Sequence, residues 1–235
     1  MPSIQTNPAS LSTRLSELFL QGVLTAELRG AGDPGTLYPD EARHLQRAVR
    51  KRQEEFAAGR SCARLLLREF GVHDFAVEVG DSRQPLWPST LVGSITHTTG
   101  FCAAVVAPRK ILRSVGIDTE IAGVVKPELW RSICTPEESA WLRSLPESEQ
   151  RSAATLIFSA KEAFYKCQFV LTQESLGFHD VSVELPAWGT ERGDFRVIAN
   201  RSIGLESTAA LPLQGRYLFH EQFITSGIAL PEALF

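Results

Sequence analysis

The chain has 235 residues, 43% of them hydrophobic and 22% charged, with a net charge of −3. That length suits one large domain or two small ones, and the apolar content is too high for a disordered chain. The weak negative charge and the absence of a Lys/Arg block exclude a global electrostatic hook for nucleic acid or a membrane surface, so any bound anion must be held by local basic residues.

Cys62, Cys102, Cys134 and Cys167 are scattered, with no Cys-x-x-Cys pair, which argues against a disulfide framework or a zinc site and fits a reducing cytoplasm. The first residues lack a basic stretch followed by an apolar one, so no signal peptide is expected. No apolar run reaches the ~18 residues needed to span a bilayer.

In chain order, Tyr38 to Phe70 reads as helical, opening on Pro39-Asp40-Glu41 and closing at Gly71, with Phe56, Cys62, Ala63, Leu66 and Leu67 as its apolar stripe. Val72 to Val79 reads as a strand, followed by the loop Gly80 to Pro88. Val92 to His97 and Phe101 to Ala107 read as buried strands around Thr98-Thr99-Gly100, and Ser114 to Glu120 as another. Helices follow, one opening at Thr135-Pro136-Glu137-Glu138 with a capping box read as one residue short of ideal spacing, another from about Glu149 to Phe169. Val181 to Leu185, Phe195 to Ile198 and Arg216 to Ile224 read as closing strands. Helix-then-strands occurs twice, a mixed α/β (α+β) pattern whose boundary near Pro108–Arg113 divides the chain into 1–112 and 113–235.

Four groups carry possible chemistry. In Val115-Gly116-Ile117-Asp118-Thr119-Glu120, strand alternation puts Asp118 and Glu120 on one face. Two such carboxylates repel unless a cation or proton intervenes, and their hard oxygens suit Mg²⁺; a solvated acidic strand end is the equally open alternative. Gly116 inside a strand signals close approach by a ligand or another backbone. In Phe158-Ser159-Ala160-Lys161-Glu162-Ala163-Phe164-Tyr165-Lys166, Glu162 and Lys166 are i, i+4: either a surface ion pair, or a metal or nucleophile contact beside a phosphate contact. Lys51, Arg52, Arg60 and Arg64 lie on the early helix, where Arg52 and Arg60, two turns apart, either fork onto a phosphate or point into solvent. Last, Ser94-Ile95-Thr96-His97-Thr98-Thr99-Gly100 gathers hydroxyls around one histidine. The other four histidines show no metal-ligand spacing, which argues against zinc.

Together these motifs resemble the phosphopantetheinyl transferases of the large single-chain type that activate siderophore, surfactin and polyketide synthases. The family pattern, Gly-x-Asp-x-Glu and about forty residues later aromatic-x-x-Lys-Glu-Ala-x-x-Lys, is filled by Gly116-Ile117-Asp118-Thr119-Glu120 and by Phe158 to Lys166, with Phe158 where many relatives have Trp. Lys51 to Arg64, Arg83-Gln84-Pro85-Leu86-Trp87-Pro88 and Gly93-Ser94-Ile95-Thr96-His97 resemble the enterobactin-synthase-activating branch. The likeness covers about residues 48–170. One departure is Gly80-Asp81-Ser82-Arg83, where some relatives have lysines.

The resemblance implies two similar α/β halves related by a pseudo-twofold axis, with coenzyme A in the cleft between them and a monomer sufficing. It implies transfer of the phosphopantetheine arm of coenzyme A to a serine of an apo carrier protein, releasing adenosine 3′,5′-bisphosphate. It further implies Mg²⁺ (or Mn²⁺) on Asp118, Glu120 and Glu162, Lys166 and Lys161 beside the pyrophosphate, and Glu162 as general base, with Glu120 the alternative. Arg52, Arg60 and His97 would grip the 3′-phosphate with Thr96 donating a hydrogen bond, and Gly80 and Arg83 would line the adenine or ribose side. The competing readings are an Mg²⁺-dependent coenzyme A pyrophosphatase, which needs no carrier, and a non-catalytic coenzyme-A-binding module.

Overall fold

The computed structural model describes residues 8–205 and 213–232. The chain divides into two compact units, Met1–Val115 with Pro231–Phe235, and Gly116–Leu230.

The first unit contains β1 (Ser10–Leu11), α1 (Thr13–Ser16), β2 (Leu24–Arg29), α2 (Pro39–Ala42), α3 (Arg50–Glu69), β3 (Leu91–Thr98) and β4 (Phe101–Pro108). Its antiparallel sheet has the order β1-β2-β4-β3. Cys62, Ala63, Leu66 and Leu67 of α3 are buried with Ala26 and Leu28 of β2 and Cys102, Ala104 and Val106 of β4. The β3–β4 turn is closed by Gly100 at φ 79°, a left-handed position that glycine takes without a Cβ clash.

The single helix expected from Tyr38 to Phe70 is broken into α2, a 3-10 turn at Arg43–Leu45, and α3. The cause is a buried ion pair between Glu41 of α2 and Arg64 of α3. In one continuous helix those residues would stand about 35 Å apart, so α2 has to fold back. Val72 to Val79 is not a strand; only Val79 makes an isolated bridge, to Pro85. Side chains serve that backbone instead: Val77 N–H donates to Glu41 Oε1 at 3.0 Å, and Arg60 Nε donates to Val77 O at 3.0 Å.

β5 (Leu112–Ile121) runs from the first unit into the second. There follow α4 (Pro127–Ile133), α5 (Pro136–Ser144), α6 (Glu147–Thr172), β6 (Val181–Glu184), β7 (Arg192–Ala199), β8 (Leu213–His220) and β9 (Phe223–Pro231), with sheet order β5-β9-β8-β7-β6. Leu156, Ala160, Ala163 and Cys167 of α6 are buried in the same core as Phe195, Val197, Tyr217 and Ile224. The α5 capping box has full spacing: Glu138 N–H donates to Thr135 Oγ1 and Thr135 N–H to Glu138 Oε2. The strand expected from Arg216 to Ile224 is a hairpin, turned at Glu221-Gln222 with Glu221 at φ 53° and His220 paired to Phe223. No Gly or Asn marks that turn in the sequence.

Candidate active site

The second unit brings together the strand and helix motifs. Gly116 of β5 crosses α6 so closely that an added Cβ would lie 1.9 Å from Ala163 O. The close approach is by another backbone, and it sets Asp118 and Glu120 against the turn of α6 that carries Glu162 and Lys166. Three bonds fasten the crossing. Lys166 Nζ donates to Asp118 Oδ1 at 2.7 Å and to Ile117 O at 3.2 Å, and Ser159 Oγ donates to Asp118 O at 3.2 Å. Lys166 therefore pairs with Asp118 across the crossing, and the surface pair with Glu162 is not formed.

Asp118 is buried, while Glu120 and Glu162 are half-buried. Burial raises Glu120 to about 7, Asp118 and Glu162 push the same way, and Lys166 opposes them. Burial also raises Glu162, against Lys166 and helped by Asp118. Among the described residues no three His, Cys, Asp or Glu side chains close into a metal cage. The donor chemistry nonetheless fits Mg²⁺, which takes few protein oxygens and completes its shell with water and phosphate. Mutually repelling carboxylates are what such a cation relieves.

Lys161 corrects an expectation. Its ammonium is buried and donates to Glu138 Oε2 at 2.7 Å, Ile133 O at 2.9 Å and Phe178 O at 2.8 Å. All three N–H groups are spent inside the unit, so Lys161 has none left for a phosphate. Glu138 completes the tie by accepting from Val183 N–H at 2.7 Å.

Sequence reasoning missed a cavity of about 190 Å³ beside Glu162, lined by Tyr165, Leu176, Phe178 and Val181. The aromatic residues there carry no signal that distinguishes them from core. A larger cavity of about 900 Å³ opens between the start of α5 and strands β6 and β7; none of the expected site residues lines it.

In the first unit, Arg52 Nη1 donates to His97 Nε2 at 2.7 Å, which puts the imidazole proton on Nδ1. Arg60 is buried, stacked 3.7 Å over the Phe56 ring, and bonded to Val77 O and Glu78 O. Burial is the main cause that pulls Arg60 down to about 10, with the Arg52 and Arg64 charges pressing the same way. It remains a cation at neutral pH, and it pins the chain leading into the Gly80–Gln84 turn. Arg64 belongs wholly to the interior, with Glu41 and Thr36 O. Thr96 is buried on the face of β3 opposite His97, so the pleat separates the two. Gly80 has a local reason: a Cβ would lie 2.5 Å from the Gln84 amide that fills its turn. Arg83 is exposed in that turn at φ 69°.

Paired carboxylates with an adjacent ammonium are equipment for handling a phosphate anhydride through a divalent cation. Comparison with known proteins gives the family. The family model "4′-phosphopantetheinyl transferase N-terminal domain" matches residues 40–107, and "4′-phosphopantetheinyl transferase superfamily" matches 114–208. The chain is 33% identical to 4′-phosphopantetheinyl transferase Npt of Nocardia iowensis over 216 residues, 88% of this chain and 96% of that protein. It is 37% identical to 4′-phosphopantetheinyl transferase PptT of Mycobacterium tuberculosis, over 84% of this chain and 88% of that one. Enterobactin synthase component D of Escherichia coli (strain K12) is 38% identical over 59% of this chain and 65% of its own length. The chain belongs to the 4′-phosphopantetheinyl transferase superfamily.

Proposed function

We propose that this transferase takes the 4′-phosphopantetheine arm from coenzyme A, using Mg²⁺ held by Asp118, Glu120 and Glu162, and places it on a serine of an apo carrier protein. Transfer of that arm to a carrier protein is the activity of the family; the donor, the metal and the residue roles are what is proposed beyond it. The observation that carries the reading is the single group formed by Asp118, Glu120, Glu162 and Lys166, three acids and one ammonium on one strand and one helix.

The bound Mg²⁺ would supply positive charge against the pyrophosphate as bonding shifts from the leaving group to the serine. Lys166 orients Asp118 and adds a positive charge next to the same phosphoryl oxygens. Glu162 receives the serine proton as the hydroxyl attacks. The serine oxygen bonds to the β-phosphorus, and adenosine 3′,5′-bisphosphate departs with the electron pair of the broken P–O bond. In the first unit, Arg52, Arg60 and His97 would hold the 3′-phosphate, Arg52 and His97 as contacts and Arg60 from its buried position. The Gly80–Arg83 turn, pinned through Arg60, would line the nucleoside.

Intact-mass analysis tests this directly. An apo carrier incubated with the protein, coenzyme A and Mg²⁺ gains one phosphopantetheinyl group and no more. Release of free phosphopantetheine without any carrier would instead support a pyrophosphatase, and unchanged carrier with coenzyme A bound would support a binding module.

A further inference from the structure

β5 is held from its other side by a polar chain that the mechanism does not use. Thr119 lies between Asp118 and Glu120 and is fully buried on the opposite face of the strand. Its hydroxyl is 2.8 Å from the hydroxyl of Thr225 on β9. Thr225 Oγ1 is in turn 2.8 Å from His220 Nε2, at the last residue of β8. His220 is itself buried and leans on Phe223, with ring centroids 5.7 Å apart.

The backbone makes a second tie at the same end of the strand. Ala122 N–H, two residues beyond Glu120, donates to Gln222 O at 2.8 Å. The β8–β9 turn, held in shape by the left-handed Glu221, thus grips β5 by its main chain at Ala122 and by a side-chain relay at Thr119. Glu120 lies between the two grips, and Asp118 immediately precedes the first. A buried imidazole and two buried hydroxyls are costly to keep in a core, and packing alone is met at least as well by apolar residues of the same size.

We infer that His220 is a positioning residue for the reaction: through Thr225 and Thr119 it fixes the orientation of Asp118 and Glu120, so the β8–β9 turn sets the affinity of those carboxylates for their divalent cation. The inference rests on the reading of Asp118 and Glu120 as metal carboxylates. Groups hydrogen-bonded directly to metal ligands change metal affinity ten- to a hundredfold when removed, and a relay acting through the strand backbone is expected at the lower end of that range.

The test measures Mn²⁺ affinity by electron paramagnetic resonance on the full-length protein with coenzyme A and no carrier, so that no turnover occurs. His220→Leu and Thr225→Val weaken Mn²⁺ binding about tenfold or more. His220→Gln and Thr225→Ser, which keep a hydrogen-bonding group, stay within about threefold of wild type, and His220→Leu combined with Thr225→Val is no worse than either alone. If His220→Leu does not fold, Thr225→Val decides alone. A lowered melting temperature with unchanged Mn²⁺ affinity overturns the inference and makes the relay purely structural. Asp118→Asn separates the two levels: weakened Mn²⁺ binding there with unaltered His220→Leu overturns only the positioning role. Unaltered binding in Asp118→Asn overturns the metal reading and the inference with it.

Discussion

Replacing Lys161 with Met distinguishes a phosphate ligand from an interior tie. The substitution keeps the apolar stem and removes an ammonium whose side chain is 1% exposed. Glu138 is left as a buried carboxylate with two backbone donors, Thr135 N–H and Val183 N–H, both at 2.7 Å, and the carbonyls of Ile133 and Phe178 lose their donor. Breaking a buried pair by removing one partner costs about 3–5 kcal/mol. The second unit, Gly116–Leu230, has about 115 residues, and an unfolding entropy of about 2.1 cal/mol/K per residue turns that cost into a loss of about 12–20 °C if the unit melts alone. Differential scanning calorimetry reads the shift. Glu138→Gln added to Lys161→Met removes the unpaired charge and recovers part of the loss, while its amide nitrogen, which cannot accept, leaves one of the two backbone N–H groups without its acceptor. Steady-state kinetics below the melting transition give a KM for coenzyme A within about threefold of wild type. A melting temperature within about 2 °C of wild type, together with a KM raised tenfold or more, would refute this reasoning and return Lys161 to the phosphate.

Gly116→Ala forces a Cβ against the Ala163 carbonyl, where the helix backbone has no room to yield; a loss of at least about 3 kcal/mol is expected in chemical denaturation, and a wild-type midpoint counts against the crossing described. Glu120 gives a pH signature in metal-free protein. Its folded value of about 7 lies above the ordinary 4.5, so its stabilising contribution is whole below about pH 4.5 and is lost as pH rises through 7. The full shift corresponds to about 3.4 kcal/mol, but Glu120 is partly exposed and solvent screening leaves on the order of 1 kcal/mol. Glu120→Gln should therefore flatten the decline in melting temperature between pH 5 and 8, and an unchanged slope excludes Glu120 as its source. Glu162→Gln abolishes transfer in a folded protein, which circular dichroism and intact mass check together; appreciable transfer removes it as proton acceptor. The two arginines of α3 should part company. Arg52→Ala, at an exposed side chain, weakens coenzyme A binding in calorimetry with little change in melting temperature, whereas Arg64→Ala leaves Glu41 buried and destabilises by about 3 kcal/mol.

Much of this was legible in the residues. Alternation along β5 places Asp118 and Glu120 on one face, the 3.6-residue period of α6 places Glu162 and Lys166 one turn apart, and a glycine within a strand warns of a close crossing. These are short-range consequences of backbone geometry, which is why the β3–β4 hairpin, β5 and the core face of α6 could be read directly. Their resemblance to a known family joined the two motifs, and sequence comparison then established that family.

What only the tertiary structure decided is which charges are spent inside. Lys161 and Lys166 sit five residues apart in one motif, yet Lys161 ends among Glu138, Ile133 O and Phe178 O while Lys166 reaches Asp118. Arg60, Arg64 and Arg52 share one helix, yet Arg64 is consumed by Glu41, Arg60 is buried and gives two of its five N–H groups to the carbonyls of Val77 and Glu78, and Arg52 stays exposed. Partners 17 to 48 residues away make those choices. No local pattern encodes them, because a buried cation is tolerable only where distant acceptors happen to converge. The same holds for the hairpin at Glu221-Gln222 and for the polar chain from His220 to Thr119, whose hydroxyls are 106 residues apart at their longest link. The sequence by itself placed Asp118 and Glu120 on one strand face and Glu162 and Lys166 on one helix turn; the fold determined which of the other charges and hydroxyls are spent inside.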